Sequence, residues 1–202
     1  VSMMRVLASL IVVAFLAACS PVPAGLQASD EIIAATAFRA DGPATLTLIT
    51  MINNNSQSGA HTALMINGSQ RVIFDPAGSF RNEKVPRRDD VLYGIRPAVL
   101  AGYKSAHARA AFHIVLQTVE VSPQVAERAI RLAMARGRVS QTQCAASTIG
   151  VLQQLDGFSG ISNTLFPKRL MENFATLPSV QTEKYFEDDE GTIVDGIAKV
   201  QL

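Results

Sequence analysis

Residues 59–75 read GAHTALMINGSQRVIFD. An Asn67-Gly68 pair separates two runs rich in β-branched and apolar residues, which predicts an antiparallel hairpin with a tight turn. His61 opens the first strand and Asp75 closes the second. Counting outwards from the turn places these two side chains roughly opposite one another, within reach if they share a face. The hairpin therefore offers an imidazole beside a carboxylate.

Strand and helix signals surround this hairpin. The pattern predicts further strands over 45–52, 112–119 and 192–200, and helices over 30–37, 122–137, 142–155 and 167–174. The predicted caps of the first three helices are, in order, Asp30, Ser122, and either Ser140 or Thr142. Residues 79–107 show no clear periodicity of apolar residues, and we expect them to form an irregular segment on the surface. The predicted fold class is α+β, with an antiparallel sheet packed against helices.

The first 18 residues have the layout of an export signal, with Arg5 ahead of an apolar core and small residues. The core is shorter than the roughly 20 residues that span a bilayer, which favours cleavage over an uncleaved anchor or a buried helix. Residues 16–19, Leu-Ala-Ala-Cys, resemble the lipobox of bacterial lipoproteins. The resemblance implies that Cys19 becomes the first residue and carries a lipid that attaches the protein to a membrane.

The remainder of the chain reads as a tether and one domain. Residues 19–29 contain two prolines and a glycine, which are typical of an extended linker. Residues 30–202 have the length of a single domain. Ser20, rather than Asp, follows the lipidation residue. By the same resemblance this implies the periplasmic side of the cell envelope, at the outer membrane.

Charge and motif content narrow the possible functions. The chain has 18 Lys and Arg residues against 17 Asp and Glu, and Arg5 belongs to the signal, so the rest is balanced. Such a chain lacks the basic field of nucleic-acid-binding proteins, and we expect no nucleic-acid partner. HExxH, CxxC and HxH spacings are absent from the sequence. We expect no cofactor.

Cys144 is the one cysteine that remains when Cys19 is lipidated. It lies near the start of a predicted helix, where unpaired N–H groups and the helix dipole favour a thiolate and can receive an oxyanion. The alternative is a small apolar side chain packed in the core, which is common for a free cysteine.

A nucleophilic cysteine needs an imidazole base and a polar group that orients the base. Of the three histidines, His61 is favoured over His107 and His113 because Asp75 lies on the neighbouring strand. Asp75 is expected to accept from one ring nitrogen and to leave the other facing Cys144. The alternatives are a structural strand histidine and an ordinary Asp-Pro turn.

The order of these residues resembles a known group of enzymes. His61 on a strand, Asp75 at the end of the next strand and Cys144 at a later helix start follow the order of the circularly permuted NlpC-like papain-fold hydrolases, which include YiiX-like proteins and lecithin:retinol acyltransferases. The resemblance covers residues 44–156. It implies a permuted papain-like architecture, a Cys144 nucleophile, a His61 base and acid, and Asp75 as orienting residue, where His or Glu is commoner.

The resemblance also implies a reaction. Attack on an amide or ester carbonyl gives an acyl-thioester, which water or an acceptor then releases. The backbone N–H of Cys144 is expected to bind the oxyanion, with Tyr103 or Gln141 as a second donor. Peptide amides of peptidoglycan are the expected substrate, and lipid acyl groups are the alternative.

Two other readings stay open. His61, Asp75, His107 and His113 are all possible metal ligands, although their spacing follows no known motif. The chain is also consistent with a non-catalytic lipoprotein of the envelope that binds or scaffolds other molecules.

Overall fold

The computed structural model describes residues 27–199, in which the chain forms six helices and seven strands. The predicted signal at 1–18, the lipidation residue Cys19 and most of the predicted tether lie outside the described residues. In chain order the elements are α1 (Asp30–Thr36), β1 (Thr45–Asn53), β2 (Gly59–Asn67), β3 (Arg71–Phe74), β4 (Arg87–Arg88), β5 (Val91–Leu92), α2 (Pro97–His107), β6 (Phe112–Glu120), α3 (Pro123–Arg136), α4 (Cys144–Leu152), α5 (Pro167–Phe174), β7 (Gln181–Tyr185) and α6 (Ile193–Lys199). Between residues 27 and 199, every helix is too short or too polar to cross a bilayer.

The strands form one antiparallel sheet in the order β4-β5-β3-β2-β1-β6-β7. Helices cover both of its faces. On one face, Leu46 and Leu48 of β1 pack with residues of α3, α4 and α5. On the other face, Ile49 and Met51 pack with residues of α2 and α6. The predicted α+β class is confirmed, and burial on both faces explains why β1 reads as a nearly continuous apolar and threonine run.

Several predicted elements are confirmed. Strands β1, β2, β3 and β6 lie where the sequence indicated them, and α5 begins and ends at the predicted residues. Ser122 caps α3, because its side chain accepts a hydrogen bond from the backbone N–H of Val125. Gly137 ends the same helix at φ 66°, a left-handed conformation that glycine adopts without steric cost.

The expectation of an irregular segment over 79–107 is wrong, because this segment contains the short strands β4 and β5 and, in its second half, the helix α2. Its buried side chains are Val99, Tyr103, Ala106 and His107, which recur at helical spacing. Pro97 occupies the first turn, a position that suits proline. The helical signal was therefore present, but the N-cap Arg96 makes no side-chain capping bond and does not mark the start.

The predicted strand over 192–200 is also wrong, because residues 193–199 form α6. The last strand is instead β7, which pairs with β6. β7 is a polar edge strand whose first four residues are exposed, so it lacks the alternation that marks a half-buried strand.

Two predicted helix starts need correction. Ser29, and not Asp30, caps α1, since its hydroxyl accepts from the N–H of Ile32. Neither Ser140 nor Thr142 caps α4, which begins at Cys144 after Gln143 as N-cap, with no side-chain capping bond. The helix also ends at Leu152, earlier than predicted.

The packing of α5 on β2 depends on a glycine. A Cβ built on Gly59 would lie 2.4 Å from the backbone nitrogen of Lys168, whereas one built on Gly150 in α4 meets nothing within 4 Å. Gly59→Ala should therefore destabilise the protein by about 1–3 kcal/mol, because the helix must move. Gly150→Ala should stabilise it by about 0.5–1 kcal/mol, since alanine loses less backbone entropy.

Thermal unfolding of the two variants tests these two expectations. Each kcal/mol should change the melting temperature by roughly 2–4 °C. Equal melting temperatures for Gly59→Ala and the parent protein would show that α5 does not pack against the start of β2.

Candidate active site

The site forms where β3 stops pairing with β2. The register pairs Asn67 with Arg71 and Leu64 with Phe74. Continued by one residue, it sets Asp75 level with Ala63 rather than with His61, so the predicted register is wrong by two positions. A shift of two keeps both side chains on the same face of the sheet, since side chains alternate with a period of two. His61 and Asp75 are thus diagonal neighbours on one face.

Their side chains meet. His61 Nε2 lies 2.7 Å from Asp75 Oδ1, and the carboxylate is fully buried. The phenol of Tyr103, from α2, donates a second hydrogen bond of 3.0 Å to the same oxygen. Because a buried carboxylate is costly without donors, these two bonds make its charged form tolerable. The predicted His61–Asp75 pair is present, and Tyr103 is its third member.

The turn after β3 fits closely around this carboxylate. A Cβ built on Gly78 would lie 1.9 Å from Asp75 Oδ2, so glycine is needed there for a close approach. The N–H of Gly78 donates to the carbonyl of Asp75 at 3.0 Å. Asp90 supports the same turn, because its carboxylate accepts from the N–H of Ala77 and its carbonyl accepts from the N–H of Asp75.

Cys144 is the first residue of α4, and only 7% of its surface is exposed. Its sulfur lies close enough to the His61 side chain and to the backbone of Thr62 and Ala145 for these groups to act on its protonation. Because His61 Nε2 is bonded to Asp75, the contact with the sulfur falls to Nδ1. Thr62 lies in the part of β2 that β3 leaves unpaired, so its backbone is available to the sulfur. The structure therefore brings all three predicted site residues together.

These contacts shift the pKa values of Cys144, His61 and Asp75. Burial favours the neutral thiol, but hydrogen bonds and the charge of His61 outweigh it and lower the pKa of Cys144. Burial also opposes an imidazolium, yet the hydrogen bonds to Asp75 and Cys144 raise the pKa of His61 to about 10. The pKa of Asp75 is lowered, because the bonds from His61 and Tyr103 and the charge of His61 outweigh burial. The three shifts together favour a thiolate beside an imidazolium over the neutral pair.

The other two histidines differ in position. His107 is buried beside the site: its Nδ1 donates to the carbonyl of Tyr103 at 2.8 Å, and its ring centroid lies 6.1 Å from that of His61. His113 lies apart, with Nδ1 2.7 Å from the amide oxygen of Asn54 and its ring stacked on Phe186. Sequence reasoning missed the part that His107 and Tyr103 play, because it missed α2, whose helical period would have placed both on its buried face.

Three of the four possible metal ligands that were named from the sequence lie close together in the structure. His61, Asp75 and His107 offer ligand atoms that lie within 4.8 Å of one another, whereas His113 is not among them. However, Asp75 Oδ1 already accepts two hydrogen bonds, and His61 Nε2 is one of the donors. A metal ion could use Asp75 Oδ2 and His107 Nε2, which are buried without a hydrogen-bond partner, but its third ligand, His61, already contacts Asp75 and Cys144. The arrangement therefore fits a hydrogen-bonded triad better than a metal centre.

A cavity of about 590 Å³ gives access to the triad. Its lining includes Met51, Ala60, His61, Ala77, Gly78, Ser79, Arg81, His107, Gln141, Thr142, Cys144 and Ile193. Gln141, expected as an oxyanion donor, lines this cavity, whereas Tyr103 is committed to Asp75. A larger cavity of about 820 Å³ lies beside Thr45 and Val119, near the opposite end of β1. None of the described residues that line the larger cavity is a cysteine or a histidine, so we place the chemistry in the smaller one.

No significant similarity was found between this chain and any known family, curated protein or solved structure.

The pKa directions predict how fast Cys144 is alkylated. Near pH 7 the protein should react with iodoacetamide roughly tenfold faster than an ordinary thiol, because the lowered pKa of Cys144 raises its thiolate fraction. The rate should fall only when the pH drops through the lowered pKa of Cys144. In His61→Ala, only the backbone of Thr62 and Ala145 still opposes the effect of burial on the thiol, so the acid limb should move to higher pH.

His113→Ala is the matched control, since this histidine lies outside the site. Mass spectrometry of the Cys144 peptide measures the rate across pH. Slow labelling that is identical in the parent and in His61→Ala would identify an inert, buried cysteine.

Proposed function

We propose that the protein is a cysteine hydrolase that cleaves amide bonds of cell-wall peptides through an acyl-thioester. One observation carries the proposal: Cys144, at the first position of α4, shares a cavity with the imidazole of His61, which acts on the protonation of the sulfur and whose Nε2 lies 2.7 Å from a buried carboxylate. Covalent acyl transfer requires a nucleophile in contact with a base, and a third group that orients the base.

The first half-reaction transfers the acyl group to sulfur. The Cys144 thiolate attacks the carbonyl carbon, and the carbonyl electrons move onto oxygen. The His61 imidazolium then gives its Nδ1 proton to the leaving nitrogen as the C–N bond breaks and the amine departs. Asp75 keeps the ring oriented and compensates its charge.

The second half-reaction releases the acyl group. His61, now neutral, accepts a proton from water while the water oxygen attacks the thioester carbon. The C–S bond breaks, the electron pair returns to the Cys144 sulfur, and a carboxylic acid leaves. The enzyme regains its thiolate and imidazolium.

The developing oxyanion is expected at the start of α4. The first turn of a helix has N–H groups without intrahelical partners, and the dipole places positive charge there. The N–H of Ala145 is already directed at the sulfur, so the N–H of Cys144 is the assigned oxyanion donor. Gln141 lines the same cavity and is the candidate second donor.

A permuted papain-like architecture accords with this proposal. The histidine strand β2 packs against the cysteine helix α4, which follows it in the chain, and the orienting residue lies just after the adjacent strand. Substrate and location rest on the sequence resemblances: a lipid on Cys19 would hold the enzyme at the periplasmic side of the envelope, within reach of peptidoglycan. Lipid acyl groups are the alternative substrate of the same triad.

Substitution of the triad tests the proposal. Cys144→Ser and His61→Ala should each reduce kcat/KM by at least about a thousandfold. Asp75→Asn should cost roughly a hundredfold less than either, because an asparagine oxygen can still accept from the ring. Melting temperatures accompany the kinetics, and a large fall for Cys144→Ser would assign the cysteine a structural role instead.

Substrate assays decide between the two acyl classes. Muropeptides and phospholipid vesicles are incubated separately with the purified protein, and products are followed by mass. We expect a mass gain of one water at a peptide amide, absent in Cys144→Ser. Cleavage of phospholipid alone would assign the triad to lipid, and no cleavage together with slow alkylation would favour a binding module.

A further inference from the structure

Arg81 lies on the wall of the active-site cavity, six residues after Asp75. The cavity wall is poor in charge otherwise: in the described part of the chain, no Asp or Glu side chain lines it. The thiolate and the imidazolium compensate one another, and Asp75 is buried behind His61. Arg81 is therefore the one permanently charged side chain that an entering substrate meets on this wall.

The guanidinium of Arg81 is held by one end only. Its Nη1 donates to the carbonyl of Gly78 and to the carbonyl of Phe80, both at 2.9 Å. These two bonds fix the plane of the group. Its Nε and Nη2 have no hydrogen-bond partner among residues 27–199. These two atoms form the lateral edge of a guanidinium, whose parallel N–H groups match the two oxygens of a carboxylate.

The same arginine also borders a second depression. A groove of about 460 Å³, lined by Ile32, Phe80, Val85 and Leu92 among others, shares Arg81 with the active-site cavity. A substrate that extends from the reacting carbonyl into this groove must pass the guanidinium. Arg81 could therefore bind an anionic group of the substrate at that point, and the anionic group would not have to approach the triad itself.

We infer that Arg81 is a specificity-determining residue, and that the substrate carries a carboxylate that the Nε and Nη2 edge of Arg81 binds beside the scissile bond. The inference rests on the proposed function and narrows its substrate class to acidic peptides. Arg81 does not touch the reacting atoms, so its effect is on binding and not on the chemical step.

Two alkylating agents of nearly equal size test this in the full-length protein. Iodoacetate carries a carboxylate and iodoacetamide is neutral, and both react with the Cys144 thiolate. The ratio of their rate constants cancels any change in thiolate fraction, because both reagents need the same thiolate. Arg81→Gln should lower the iodoacetate-to-iodoacetamide ratio by about fivefold, as expected for loss of one charge at the rim of a site.

Three further measurements make the result specific. Arg81→Lys should keep part of the preference, since it retains the charge but loses the planar edge. Arg128→Gln, an exposed arginine on α3, is the matched control and should leave the ratio unchanged. High salt should lower the ratio in the parent protein towards that of Arg81→Gln.

Peptide substrates separate a carboxylate from a general attraction to anions. For a cleaved peptide with a free carboxylate next to the scissile bond, Arg81→Gln should raise KM with a smaller effect on kcat. The carboxamide analogue should lose this dependence. An equal response of both peptides would overturn the carboxylate assignment.

The outcomes distinguish this inference from the proposed function. Fast, His61-dependent alkylation by iodoacetamide with a ratio that Arg81→Gln does not change would overturn the inference and leave the hydrolase proposal intact. Slow alkylation by both agents in the parent protein would overturn both.

Discussion

The hydrogen bond between His61 Nε2 and Asp75 Oδ1 is the contact on which the site depends, and it exists because β3 ends early. Beyond Phe74 the chain turns away, so Asp75 is free to point diagonally at His61 instead of continuing a ladder. The same early end leaves the edge of β2 open at Thr62, whose backbone reaches the sulfur of Cys144. One strand terminus therefore supplies both the orienting carboxylate and a donor to the nucleophile.

Burial alone would neutralise every member of this group, since it disfavours thiolate, imidazolium and carboxylate alike. The charged state is favoured because each group is the counter-charge of its neighbour: His61 lowers the pKa of both Cys144 and Asp75, and they raise that of His61. Because the three charges stabilise one another, removal of one of them weakens the stabilisation of the other two. It also depends on Tyr103, whose hydroxyl satisfies the Asp75 oxygen that also accepts from the imidazole.

Local signals predicted the parts of the chain in which one interaction dominates. The Asn67-Gly68 pair predicted the hairpin, and the Ser122 cap and Gly137 predicted the bounds of α3. The triad residues could be named because they are few and chemically distinctive. What could not be predicted depends on tertiary context: β7 is polar and becomes a strand by pairing with β6, and α4 starts without a side-chain cap.

The register shows how a wrong detail can leave a prediction useful. The hairpin turn was placed one residue too early, which displaced the pairing by two positions. A displacement by one would have put His61 and Asp75 on opposite faces and destroyed the predicted pair. The alternation of apolar residues determines which face of the sheet each side chain occupies, and it does not determine the position of the turn.

The segment from Asp75 to Arg81 joins base orientation to substrate recognition. Gly78 packs against Asp75 Oδ2 and donates to its carbonyl, while the carbonyl of Gly78 accepts from Arg81 Nη1. The turn that positions Asp75 therefore also anchors the guanidinium of Arg81. Since that turn has no room for a side chain at Gly78, a substitution there would displace the Asp75 carboxylate and with it the imidazole that the carboxylate orients.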